Sequence, residues 1–208
     1  MVRKGYVEQQ IEGLARAIAR MLALEDVGPE ARLREIDRLC RAHTGFDLAY
    51  WCTRVGQRAR GDRSVLGDDA VQILAAARLM AEAAYIQPEK RQLWSARAIL
   101  LAADAVALEP DWATGLAASW FDTIRGSVDD AHRTPDLRAA LAEWDEASGR
   151  LLAAESAWMA LEDDGNPWAS EQRNAFYGRL LERSDAELVA AGLPREEILE
   201  MLSFCEGD

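Results

Sequence analysis

Residues 95–108 read SARAILLAADAVAL, and of these fourteen only Ser95, Arg97 and Asp104 are polar. A helix that is apolar on nearly every face has to be covered on nearly every face. The stretch is shorter than the roughly 20 residues needed to span a bilayer, so it predicts a central helix enclosed by other helices of the same chain. The rest of the sequence has the same character. Ala and Leu dominate, β-branched runs are few, and no segment alternates apolar and polar residues for more than a few positions. These features predict an all-α protein of about eight to ten helices, arranged as stacked antiparallel hairpins.

Composition narrows the function classes. The 208 residues are enough for one helical domain, and their net charge is −12. A general binder of nucleic acid or of anionic membranes draws its affinity from neutralising phosphates, which this charge disfavours. The charge is unevenly spread: residues 1–68 carry twelve basic and ten acidic side chains, and residues 69–208 carry twelve and twenty-six. The N-terminal third is slightly basic and the remainder strongly acidic, which suits attraction within the fold, within a homodimer, or towards a charged partner. Three cysteines without framework spacing fit a reducing compartment. The N-terminal segment lacks an uninterrupted apolar core, so a cytoplasmic protein without a signal peptide or membrane anchor is expected.

Upstream of the central helix, Pro88 restarts the chain after a helix predicted from Asp69 to about Ile86. Residues 54–69, RVGQRARGDRSVLGDD, interrupt the helical pattern with three glycines and four arginines. This segment reads as a solvated connector or as an anion-binding loop offering Arg58 and Arg60, without the glycine-lysine cradle of a nucleotide site. Before it, an apolar stripe of Val7, Ile11, Leu14, Ile18 and Met21 predicts a first helix. Gly28-Pro29 opens a second, bearing Leu33, Ile36, Cys40 and His43, Gly45 closes it, and Asp47 caps a short third helix. Tyr6-Val7, Ile11-Glu12, Leu14-Ala15 and Ile18, with the hairpin and the Leu33, Ile36-Asp37, Leu39 run, resemble the opening of a family of uncharacterised bacterial helical proteins known mostly from Gram-positive species. That resemblance carries no activity.

Ala98, Ala105 and Pro110 have the spacing of the second-helix alanines and terminal proline of a tetratricopeptide repeat, and Ala107-Leu108-Glu109-Pro110-Asp111 resembles its repeat junction. The Trp, Leu-Gly and Tyr signature of a first repeat helix is absent. The resemblance therefore implies one irregular tetratricopeptide-like hairpin over residues 69–110, with no regular array. Three regions follow along one domain: N-terminal hairpins with the central helix to residue 110, a long-helix packing region over 111–165, and a C-terminal hairpin over 166–208. The middle region is read as a helix from Asp111 to about Ile124 and a long helix from Asp136 to about Glu162, capped by Thr134. Its seam of Ala140, Trp144, Ala147, Leu151, Ala154, Trp158 and Leu161 repeats at heptad steps. In the last region Ser184 and Glu187 form a capping box. The run Asp185, Glu187-Leu188, Gly192-Leu193, Arg195 and Ile198 resembles a helical-hairpin motif at the tails of small proteobacterial proteins, some associated with nucleic acid. It implies a docking hairpin first, because Glu196, Glu197 and Glu200 would repel phosphate.

Candidate chemistry is sparse. Cys40, His43 and Cys52 lack a fourth zinc ligand at useful spacing, and no nucleophile elbow, nucleotide loop or metalloprotease helix is present. No metal or cofactor is expected. Seven tryptophans are the compositional feature that stands out. They either fill gaps between alanine-rich helices or wall a groove, with Trp94, Trp112 and Trp120 as candidate walls and Arg97 and Asp104 as its polar anchors. The reading is a non-catalytic scaffold or adaptor that binds a protein or peptide, with homodimerisation open. The alternative is a ligand-responsive regulator with a pocket between helices, linked to nucleic acid through its C-terminal hairpin.

Overall fold

The computed structural model describes residues 2–23, 27–54, 70–115 and 118–205. Among these residues there are eleven α-helices and no strand, as an all-α reading requires. The helices are α1 (Val2–Leu22), α2 (Pro29–Thr44), α3 (Leu48–Arg54), α4 (Ala70–Ile86), α5 (Arg91–Leu108), α6 (Ala118–Arg125), α7 (Pro135–Ala147), α8 (Leu151–Asp163), α9 (Ala169–Leu180), α10 (Asp185–Ala190) and α11 (Arg195–Cys205). They form two compact units, Met1–Leu137 and Arg138–Asp208.

In the first unit the helix with most neighbours is α4, which packs against α1, α2, α3 and α5. The helix expected at the centre, α5, is its partner: Ala98, Ile99, Ala102, Ala103 and Ala105 are buried, but Ala107 and Leu108 are exposed. The two pack together along their length, joined through Gln87 and a 3-10 turn at Pro88–Lys90. Alanine explains the closeness. Ala76, Ala77, Ala81, Ala83 and Ala84 on α4 are each at most 1% exposed, and a methyl-sized side chain lets two backbones approach without interposed bulk while losing no rotamer entropy.

The caps before α4 follow the sequence. Gly28 precedes Pro29 at the start of α2, and Gly45 ends it in the left-handed region at φ 79°, its N–H on the Arg41 carbonyl at 2.9 Å. Asp47 caps α3 by accepting from the Tyr50 N–H at 2.8 Å, while Asp37 on α2 accepts from the Leu48 N–H at 3.0 Å. The Thr44 hydroxyl donates to the Cys40 carbonyl at 2.8 Å and accepts from Trp51 Nε1 at 2.9 Å. This satisfies the polar edge of a fully buried indole.

Two predicted helices are corrected. The span expected as one helix from Asp111 is a 3-10 turn, Pro110–Thr114, and a separate α6, because Gly115 leaves helical geometry at φ −105° and ψ −132°. The long helix expected from Asp136 to Glu162 is α7 and α8, broken at residues 148–150. Gly149 is left-handed at φ 80°, the Arg150 N–H bonds the Asp145 carbonyl at 2.8 Å, and the Arg150 guanidinium bonds Asp145 Oδ1 at 2.7 Å. Such a bond, reaching back five residues, is how a helix ends at a left-handed glycine. The heptad seam is therefore two short seams, with Trp144 on α7 and Trp158 on α8 both buried. Gly165, at φ 75°, ends α8 in the same way.

The second unit closes around Leu151, Trp158, Leu161, Phe176, Leu180 and Leu188. The Ser184–Glu187 capping box opens α10 as read. At Gly192, φ 80°, an added Cβ would lie 3.0 Å from Leu152 Cδ1. Gly149 and Gly178 provide a matched test, since neither has an atom within 4 Å of an added Cβ and they differ in backbone conformation. Gly149→Ala should destabilise the protein by about 1 kcal/mol through its left-handed φ. Gly178→Ala, inside α9, should stabilise it by about 0.5–1 kcal/mol in urea denaturation.

Candidate binding cleft

On α4, Arg78, Ala81, Glu82 and Tyr85 follow at steps of three, one and three, which sets them on one face of the helix. On α6, Trp120, Thr123 and Ile124 share a face for the same reason. Together these seven residues line a half-open cleft of 360 Å³. Ala81 and Ile124 are buried, Trp120 is half-buried, and Tyr85 and Thr123 are exposed.

The charges in the cleft are arranged around Arg78. Its Nη2 pairs with Glu82 Oε1 one turn away, and its guanidinium carbon lies 5.6 Å from the centre of the Trp120 ring. Glu82 is only 6% exposed. Burial pushes its carboxyl above the ordinary value, opposed by the charge of Arg78. At the rim, the Arg91 guanidinium lies 5.4 Å from the centre of the Tyr85 ring. The result is a desolvated carboxylate and a planar cation in a cleft that two aromatic side chains also line. Such groups recognise a ligand by orientation and charge.

Of the residues singled out from sequence, Trp120 lines this cleft. Trp94 is half-buried on α5 with the Lys90 ammonium 5.3 Å from its ring centre, and Trp112 is half-buried in the 3-10 turn before α6. Arg97 is half-buried on α5, and Asp104 is 6% exposed on the same helix. These four are not among the residues lining the cleft. Arg58 and Arg60 lie outside the described residues. Arg78, Glu82 and Tyr85 escaped the sequence reading, although a signal was present: an Arg and a Glu four apart on a helix otherwise rich in alanine. Arg97 and Asp104, an Arg and an Asp two turns apart on α5, are the comparable pair that the sequence reading takes up instead.

The other chemically suggestive groups have structural partners. Cys40 is buried, its Sγ 3.8 Å from the Thr44 hydroxyl, and desolvation pushes its thiol up to about 12. A thiol so rarely ionised is a poor nucleophile and metal ligand. Burial lowers the pKa of His43. Among the described residues no group of three or more His, Cys, Asp or Glu side chains is placed to hold a metal ion. In the C-terminal hairpin Arg195 bonds Asp185 Oδ1 at 2.5 Å and the carbonyls of Leu181 and Arg183 at 2.8 and 2.6 Å. Its guanidinium ties α10 and α11 to the end of α9. Among the described residues no helix is long and apolar enough to cross a membrane.

Fold and cleft together define an all-α protein with an ion-paired, aromatic-walled cleft between two of its helices. Residues 1–206 match the family described as "Family of unknown function (DUF6483)", and the chain belongs to that family. No curated protein and no solved structure matches it.

The burial of Glu82 gives a pH signature. Its folded-state pKa is raised above 4.5, so its contribution to stability is fully present below the unfolded value and is lost as pH rises through the raised one. Glu82→Gln does not titrate. Its stability relative to the native chain should therefore rise across that window and level off above it, as measured by urea midpoints from about pH 4 to about pH 8. A difference that stays flat with pH would contradict a raised Glu82.

Proposed function

We propose that this protein is a non-catalytic helical adaptor that binds a protein or peptide, and that the cleft between α4 and α6 is its docking surface. The observation that carries the proposal is the pre-set Arg78 guanidinium, held by Glu82 and laid on Trp120 at the floor of a half-open cleft. Recognition groups already fixed by neighbours lose little entropy when a ligand arrives. Tryptophan, tyrosine and arginine are also the side chains most enriched at binding hot spots. A cleft open to solvent suits a side chain projecting from a larger partner.

The tetratricopeptide-like character of the α4–α5 pair belongs to the same proposal. Ala98 and Ala105 lie in the paired helices with no exposed surface, and Pro110 follows the end of α5, in keeping with the small-residue contacts of that repeat. Hairpins of this kind serve as scaffolds because packing, with no need for catalysis, creates their concave surfaces. A cytoplasmic, bacterial setting is part of the reading, and the free thiols of Cys40 and Cys52 fit a reducing compartment.

Photo-cross-linking tests the docking surface. With p-benzoylphenylalanine in place of Tyr85, irradiation of cells of the source organism should give discrete protein adducts. The same photo-reactive residue at exposed Ala160 on α8 should not give them, and adding Trp120→Ala should reduce the Tyr85 adducts several-fold. Identical adducts from both positions, or adducts indifferent to Trp120→Ala in a variant with native helicity, would overturn the proposal.

A further inference from the structure

The cleft already seats one guanidinium, and the manner of seating defines what it can accept beside it. Arg78 occupies one carboxylate oxygen of Glu82, Oε1, and among the described residues Glu82 has no second cationic partner. A carboxylate offers two oxygens and about four lone-pair directions, so one oxygen of a nearly buried carboxylate remains for a donor arriving through the cleft. The walls on either side are aromatic. Trp120 lies on α6, and Tyr85, 44% exposed, stands one turn beyond Glu82 on α4. Both rings are within cation–π range of an arginine in the native chain, Arg78 at 5.6 Å and Arg91 at 5.4 Å.

The sign of the ligand follows from what Glu82 lacks. An anion drawn to Arg78 would have to sit beside a carboxylate that is only 6% exposed and compensated by that same arginine. It would compete for the cation that compensates a nearly buried carboxylate. A cation adds a second counter-charge to Glu82 and leaves Arg78 in place. The field of the chain acts in the same direction, with twelve basic against twenty-six acidic side chains over residues 69–208. The volume of 360 Å³ lies at the lower end of ligand pockets. It admits a side chain and not a whole helix. Among biological cations the planar guanidinium suits a site with flat walls and one carboxylate edge better than a compact, strongly hydrated ammonium does.

We propose that the α4–α6 cleft receives an arginine side chain from a basic segment of a partner protein, with its N–H donors on the free oxygen of Glu82 and its face against Tyr85 or Trp120. This rests on the peptide-binding reading of the same cleft and names the chemistry of its ligand.

The test uses the full chain and a dye-labelled dodecapeptide of repeated Gly-Arg-Ser, followed by fluorescence anisotropy at physiological salt. The counterparts replace every Arg by citrulline, lysine or glutamate. The arginine peptide should bind, the citrulline and glutamate peptides at least tenfold more weakly, and the lysine peptide several-fold more weakly. Glu82→Gln should weaken the arginine peptide at least tenfold. Tyr85→Ala, at a position 44% exposed, should weaken it several-fold in a variant with native helicity. Attraction to the acidic surface at large would survive both substitutions and would treat lysine and arginine alike. That result, binding of the citrulline peptide as strong as that of the arginine peptide, or a preference for the glutamate peptide, overturns the assignment. If the Tyr85 photo-adducts persist while the arginine peptide fails to bind, the arginine assignment falls and the docking surface stands. If the adducts are lost as well, both fall.

Discussion

The contact between α4 and α5 is the constraint on which the first unit is built. Two helices rich in buried alanine pack along their length, so their cohesion comes from many short-range contacts at high density more than from a few large side chains. The arrangement is unforgiving of bulk. A larger residue at Ala76 or Ala103, both essentially without exposure, would have no solvent to extend into, and overpacking of this kind costs about 1–3 kcal/mol. Because α4 also packs on α1, α2 and α3, little of its surface is left over. The remainder is the face of Arg78, Glu82 and Tyr85, and α6 lies across it to make the cleft.

Large side chains do the opposite job where alanine cannot. Trp51 fills the junction of α2 and α3 with its indole N–H on Thr44, and Trp158 fills the core of the second unit. The tryptophans therefore divide by burial. Trp51, Trp144 and Trp158 are fully buried, whereas Trp94, Trp112, Trp120 and Trp168 are half-buried. Composition alone could not sort them, because burial depends on which helix arrives opposite.

Local signals were legible and long-range ones were not. Gly28-Pro29, Gly45, Asp47, Thr134 and the Ser184–Glu187 box each act within a few residues, and each ended or began a helix where its chemistry says it should. The break at Gly149 was hidden because apolar residues on either side keep heptad register through it. A glycine in such a run is tolerated in a helix at a cost near 1 kcal/mol, so the pattern does not decide. The decision lies in the turn itself, where the buried Asp145 carboxylate holds Arg150. The choice between α4 and α5 as the centre was equally beyond the pattern: both are alanine-rich, and only the positions of α1, α2 and α3 separate them.

The same limit explains the site. A charged pair on an alanine-rich helix is a usable signal, and it occurs on both α4 and α5. Asp104 ended in the interior and Glu82 at the floor of a cleft, although their exposures are equal at 6%; what distinguishes them is α6, whose start at Ala118 depends on the break at Gly115. Stability does not require a charge pair on this face. Replacing a buried pair by apolar side chains of similar volume is often neutral or stabilising by about 1–4 kcal/mol, and α4 is already apolar almost everywhere else. An ion pair at the open face of the most enclosed helix, beside two aromatic rings, is therefore a feature that packing alone does not call for, and that is the physical ground of the binding proposal.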